Sequence, residues 1–225
     1  MQEKKENRGT TEIAPVGEVI EILEREFGVP QIDQRKSPLD ELIFTILSQN
    51  TNDVNRDRAY TSLRKSFPSW DEVLEAQEGE IADAIRVGGL AQTKSVRIKE
   101  ILSWVKKEFG RLSLDFLFDM PVPEAKQILS SLKGVGPKTI CCVLLFSCGK
   151  SVFPVDTHIL RIAKRFRWVP ENASSEQAHK ILGQLVPLEK MFSFHINLIR
   201  HGRETCKSRN PLHSSCPIPS CPCKG

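Results

Sequence analysis

The 225-residue chain has no apolar run approaching the ~20 residues that a membrane-spanning helix needs, so a helical membrane protein is excluded. Its first residues, MQEKKENRGTTE, contain no apolar stretch, so no secretory signal is expected there and the compartment is taken as reducing. Sustained alternation of apolar and polar residues with hairpin turns is missing as well; VLLFSC and SVFPV are the β-like runs, too few to build a sheet. Internal repeats are absent. What remains is a soluble globular composition, 40% hydrophobic and 27% charged, in a chain long enough to bury a core without disulfides.

Apolar spacing is helical almost throughout. VGEVIEILEREF places Val16, Val19, Ile20, Leu23 and Phe27 on one face, and LDELIFTILSQ does the same with Leu39, Leu42, Ile43, Ile46 and Leu47. Further helices are predicted over 53–66, 71–76, 79–86, 93–109 (with Thr93 as N-cap), 123–132, 139–147, 157–167, 175–186 and 189–202. The fold class is all-α. Residues 1–15 are expected to form a flexible polar tail.

Charge is uneven. Residues 1–133 carry a net −4 and residues 134–225 a net +8, which points to an anionic partner for the second half, nucleic acid first. Cysteine is uneven too. Cys141, Cys142 and Cys148 fall in an apolar stretch and read as core, whereas Cys206, Cys216, Cys221 and Cys223 crowd a Pro- and Ser-rich tail that has little else to bury. In a reducing compartment such a cluster reads as metal binding rather than as disulfides.

Two segments carry chemistry. In Leu132-Lys133-Gly134-Val135-Gly136-Pro137-Lys138-Thr139 one helix ends and the next begins two residues after a Gly-x-Gly. Glycine permits the tight reversal and a close approach to the backbone, Pro137 suits the first helical turn, and the amides at that helix start favour an anion such as a phosphate. An ordinary tight turn would look similar. Lys138 is less ordinary: it sits where the helix dipole disfavours a cation, with small neighbours, so its amine can reach whatever docks on the hairpin as a nucleophile, or can bind phosphate. In Val152-Phe153-Pro154-Val155-Asp156-Thr157-His158, Asp156 opens a helix, and reads as an N-cap, as an oriented functional carboxylate, or as both. Arg161, Lys164, Arg165 and Arg167 form a basic run that is either a phosphate contact or a solvated face.

LKGVGPKT followed by FPVDTHILR resembles the endonuclease III branch of the helix–hairpin–helix DNA glycosylases. HGRETC at 201–206 is similar to the segment that leads into that family's iron–sulfur loop, and Leu47-Ser48-Gln49-Asn50-Thr51 to its early DNA-contacting loop; the resemblance covers residues 16–223. It implies two helical domains flanking a DNA-binding cleft: a six-helix barrel over 30–150 carrying the hairpin, and a second domain made of 16–29 and 151–225. It implies a bifunctional glycosylase and AP lyase acting on oxidised pyrimidines, with Lys138 as nucleophile and Asp156 as the carboxylate beside the sugar. A mismatch or modified-base glycosylase of the same fold, or a non-catalytic DNA-binding module, are the alternatives. By the same resemblance Gln49, Asn50 and Leu90 are the candidates for wedging into the vacated base stack, and Gly134, Val135, Gly136, Thr139 and Arg203 contact DNA.

The cysteine spacing departs from the family's C-x6-C-x2-C-x5-C; here it is C-x9-C-x4-C-x-C. A [4Fe–4S] cluster held by Cys206, Cys216, Cys221 and Cys223 remains the first expectation, with His213, which aligns with the second family cysteine, as a replacement ligand and zinc as the rival metal. Double-stranded DNA with a damaged base or abasic site is the expected partner. A monomer in the cytoplasm or at the nucleoid, with no membrane association, completes the expectation.

Overall fold

A computed structural model describes residues 14–32 and 34–222. Every regular element among them is a helix, and none is long and apolar enough to cross a membrane. Contacts divide the chain into two compact units, Ile32–Pro154 and Met1–Gln31 with Val155–Gly225.

The Ile32–Pro154 unit is built on α2 (Pro38–Leu47). Ser37 starts this helix by accepting a hydrogen bond from the Asp40 amide at 3.2 Å, with Pro38 in the first turn where its missing N–H is harmless. Leu39, Leu42, Ile43, Ile46 and Leu47 are at most 1% exposed. Each such side chain contributes roughly 1.5–3 kcal/mol of burial. Against α2 pack α3 (Asp53–Ser66), α6 (Ala91–Phe109) and α8 (Pro137–Cys142). The short helices α4 (Trp70–Glu75) and α5 (Glu78–Ala84) lie on α6, and α7 (Val122–Ser130) lies on α8. Gly110 (φ 70°) closes α6. Beyond α8 the apolar run Val143–Ser147 continues as a π-type turn rather than as a strand.

The second unit contains α1 (Val16–Phe27), α9 (Thr157–Arg165), α10 (Ser175–Leu185) and α11 (Met191–Glu204). α11 packs on both α1 and α9. Phe166, Trp168 and Phe194 stack in sequence, with ring centroids 5.0 and 5.8 Å apart. Asn197 on α11 donates to the carbonyl of Gly28 at 3.0 Å and so pins the end of α1. The expected tail of 1–15 lies outside the described residues up to residue 13; Ala14, near its end, is buried and accepts a hydrogen bond from the Trp168 indole at 2.8 Å.

Thr93 does not cap α6. The helix starts at Ala91, preceded by Leu90 in a left-handed conformation, and the Lys94 amide donates to the Leu90 carbonyl at 2.9 Å. The positive φ of Gly89 (68°) turns the chain early enough to leave Thr93 inside the first turn.

Candidate active site and cysteine loop

The hairpin between α7 and α8 turns at Gly134, whose φ of 77° is poorly accessible to other residues. A Cβ at that position would fall 2.5 Å from the guanidinium carbon of Arg97. Arg97 reaches the hairpin from α6, donating to the Lys133 carbonyl and pairing with Glu100 at 3.1 Å. Gly136 precedes α8 in extended conformation, Pro137 fills its first turn, and no side chain caps it. The side chains of Val135 and Thr139, expected at the DNA surface, are turned inward at 6% and 5% exposure, so any contact from them to a phosphate runs through the backbone amide.

Lys138 is half-buried. One helical turn further on, the Cys142 thiol lies against its ammonium. Burial pushes that thiol up to about 12, despite the opposing pull of Lys138. Glu41 of α2 shares the same field. Burial pushes its carboxyl up to about 7, while Lys36, a hydrogen bond from the Thr45 hydroxyl (3.3 Å), Arg56 and Lys138 all pull the other way. Lys138 therefore emerges from a low-dielectric wall containing a neutral thiol and an acid poised to hold or release a proton near neutrality. Sequence reading missed Glu41 and took Cys142 for plain core. The available signals were a carboxylate in an almost wholly apolar helix, and a four-residue spacing that puts Cys142 on the Lys138 face.

Asp156 belongs to the other unit. Its carboxylate is half-buried and accepts a hydrogen bond from the Ile159 amide at 2.8 Å, so it caps α9 and is held rigidly in doing so. The two wedge candidates with unusual backbone are both exposed: Asn50 at φ 52°, next to exposed Gln49, and Leu90 at φ 51° and 55% exposure. Arg203 is exposed on the last turn of α11.

Two members of the basic run on α9 reach across to the cysteine loop. Arg161 donates to the carbonyls of Cys206 (2.9 Å) and Gly202 (2.9 Å). Arg165 donates to the Lys207 carbonyl (2.7 Å) and to the Cys206 sulfur (3.1 Å). Burial alone would raise the Cys206 thiol, but His201 and Arg165 outweigh it and hold the thiol below its ordinary value. The His201 ring, fully buried beside that sulfur, makes no hydrogen bond of ordinary geometry through either nitrogen. Cys206, Cys216 and Cys221 are all buried, at 6–7% exposure, and His213 is half-exposed at the start of a short turn, His213–Ser215. Cys223 lies outside the described residues. Among the described residues no three Cys, His, Asp or Glu side chains converge as a metal-holding group. The donor chemistry nevertheless fits a thiolate-held group: three sheltered sulfurs in a segment with few apolar side chains, one of them shifted toward thiolate beside a buried imidazole.

An all-helical chain presenting a glycine hairpin with a lysine at its exit defines the class of helix–hairpin–helix proteins. Residues 43–188 match the family of HhH-GPD superfamily base excision DNA repair proteins, and the chain belongs to it. It is 31% identical to the endonuclease III of Thermotoga maritima over 200 residues, covering 88% of this chain and 89% of that one. An Arabidopsis thaliana protein provisionally named a DNA glycosylase is 45% identical over 176 residues, which is 77% of this chain but only 60% of that relative's length. Among solved structures, an endonuclease III–DNA complex shares the fold at TM-score 0.75 and 24% identity, covering 88% of this chain and 89% of that one.

Proposed function

We propose that the protein is a DNA glycosylase with AP lyase activity that removes damaged bases, oxidised pyrimidines foremost, from double-stranded DNA. The observation that carries this reading is Lys138: a half-buried amine at the exit of a glycine hairpin, backed by the neutral Cys142 thiol and the near-neutral Glu41 carboxyl. The resemblance to the endonuclease III branch supports the choice of base.

The sugar C1′ is inaccessible inside the stack, so the damaged nucleotide has to be extruded first. Gln49, Asn50 and Leu90 fill the space it leaves; apolar wedges such as Leu90 separate base steps. The backbone of Gly134, Val135, Gly136 and Thr139, together with Arg203, takes phosphates without reading sequence. The unprotonated Nζ of Lys138 then forms a bond to C1′. The glycosidic C–N bond breaks with its electron pair leaving on the base, which takes up a proton. Opening of the sugar ring gives an imine between Lys138 and C1′; loss of a C2′ proton expels the 3′ phosphate by β-elimination. Asp156 accepts the proton of the lysine ammonium or offsets positive charge on the sugar.

The cysteine segment would hold a [4Fe–4S] cluster through Cys206, Cys216, Cys221 and Cys223. When bound, the cluster supplies a structural brace. The chain's own part is to present Arg203, Lys207 and Arg209 to phosphates from a loop clamped by Arg161 and Arg165.

Lys138→Gln removes the nucleophile and keeps a polar side chain of similar reach. On duplexes carrying thymine glycol, uracil, mismatched thymine or an abasic site, the wild-type protein is expected to give a borohydride-trapped covalent complex with its substrate, and Lys138→Gln to lower trapping by at least about 10³-fold. Undiminished trapping refutes the lysine's role; cutting of none of the duplexes by the wild type favours a DNA-binding module.

A further inference from the structure

Two exposed positions of the Ile32–Pro154 unit hold left-handed backbone, which asparagine tolerates and leucine does not. Asn50 (φ 52°) follows the end of α2, and Leu90 (φ 51°) precedes α6. A leucine in the left-handed region is strained and stays there only when its surroundings impose it. Both side chains are exposed.

Beneath both loops lies Lys94. This lysine, one turn into α6, is 3% exposed, and burial lowers its pKa. Its ammonium donates to the carbonyl of Leu47 at 2.8 Å and to the carbonyl of Gly88 at 2.8 Å. Leu47 ends α2 three residues before Asn50; Gly88 stands two residues before Leu90. One cation thus joins the roots of both loops. The fit is close: a Cβ on Gly88 would meet the Ala59 Cβ at 3.0 Å and the Lys94 nitrogen at 4.0 Å. An interior lysine is costly, and an apolar residue would fill the same space with less desolvation. The two carbonyls are what it has in exchange: a link between segments that no helix hydrogen bond connects.

We propose that Lys94 is a positioning residue whose buried ammonium locks the Gln49–Asn50 loop to the Leu90 turn, so that both enter the base stack as one rigid pair during extrusion. Lys94 touches neither the sugar nor the base. The proposal deepens the glycosylase reading above and rests on it.

Lys94→Met keeps the stem and deletes the ammonium. Release of the damaged base from duplex DNA should fall at least tenfold, and the fluorescence rise of a 2-aminopurine placed next to the lesion, which reports extrusion, should fall with it. Borohydride trapping on a single-stranded abasic oligonucleotide, where nothing has to be extruded, should stay within twofold of wild type. Ile98→Ala, one turn further along α6 and likewise buried, lowers the melting temperature without touching either carbonyl, and should leave the ratio of the two activities unchanged. If Lys94→Met does not fold, Lys94→Gln, whose amide can still donate, carries the same comparison, with a smaller but still selective loss on duplex. Equal losses on both substrates, no loss on duplex, or the same selective loss in Ile98→Ala overturns the proposal. A wild-type protein that traps neither substrate overturns the glycosylase reading, and this inference falls with it.

Discussion

The hairpin at 132–142 and the cysteine segment from 206 onward are both chemically marked, and they are held in opposite ways. The hairpin rests on apolar packing. Leu132, Ile140, Cys141 and Cys142 are buried against α2 and α7, and one glycine and one proline set the turn. The cysteine segment buries Ile218 and its sulfurs, and is gripped mostly through backbone carbonyls by two long cations from α9. Apolar packing makes a region self-sufficient, because each methylene removed from water contributes on the spot. Charged clamps hold a segment only while their geometry persists; the proposed cluster would be the group that joins the sulfurs of this one.

The contrast can be broken most strongly by removing that group. Oxidative loss of the proposed cluster should abolish a broad brown visible absorbance and accelerate tryptic cleavage after Lys207 or Arg209 by at least about tenfold, while the hairpin unit keeps its helical signal. A protein purified without oxygen that is colourless and carries zinc would replace iron–sulfur with the rival metal but leave the contrast intact. Next in size is Glu41. Its folded pKa, about 7, lies above the ordinary 4.5, so folding favours the protonated acid. The associated stability is fully present below pH 4.5 and is lost as pH rises toward 7. Glu41→Gln should therefore stabilise the protein by about 3 kcal/mol at pH 8 and by almost nothing at pH 4, read from urea midpoints at the two pH values. The smallest effect is expected of Arg165→Met, which keeps the stem and deletes the hydrogen bonds to the Lys207 carbonyl and the Cys206 sulfur; it should cost about 2 kcal/mol and expose the loop to protease before the hairpin unit unfolds.

Helix positions were legible because they are local. The spacing of Leu39, Leu42, Ile43 and Ile46 dictates α2, and Asp156 dictates the start of α9 with a hydrogen bond only three residues long. Lys138 was legible for the same reason, as its place depends on the glycines and proline immediately before it. The failure at Thr93 is instructive. A hydroxyl in a plausible capping position lost to a turn set by Gly89 and fixed underneath by Lys94, whose carbonyl partner at Leu47 belongs to another helix. The loop contacts of Arg161 and Arg165 were not legible either, since a basic helix face gives no sign of which carbonyls it will meet.

The linear chain by itself determined the all-α class, the glycine hairpin with its lysine, the capping aspartate and the stock of sulfur donors, because periodicity, turn chemistry and composition act over a few residues. Only tertiary structure decided that Glu41 would be an acid near neutrality, that Lys94 would be interred between two loop roots, and that Arg161 and Arg165 would face inward to the cysteine loop. Desolvation and long-range hydrogen bonding depend on what folds against a side chain, and that partner lies on a different helix each time.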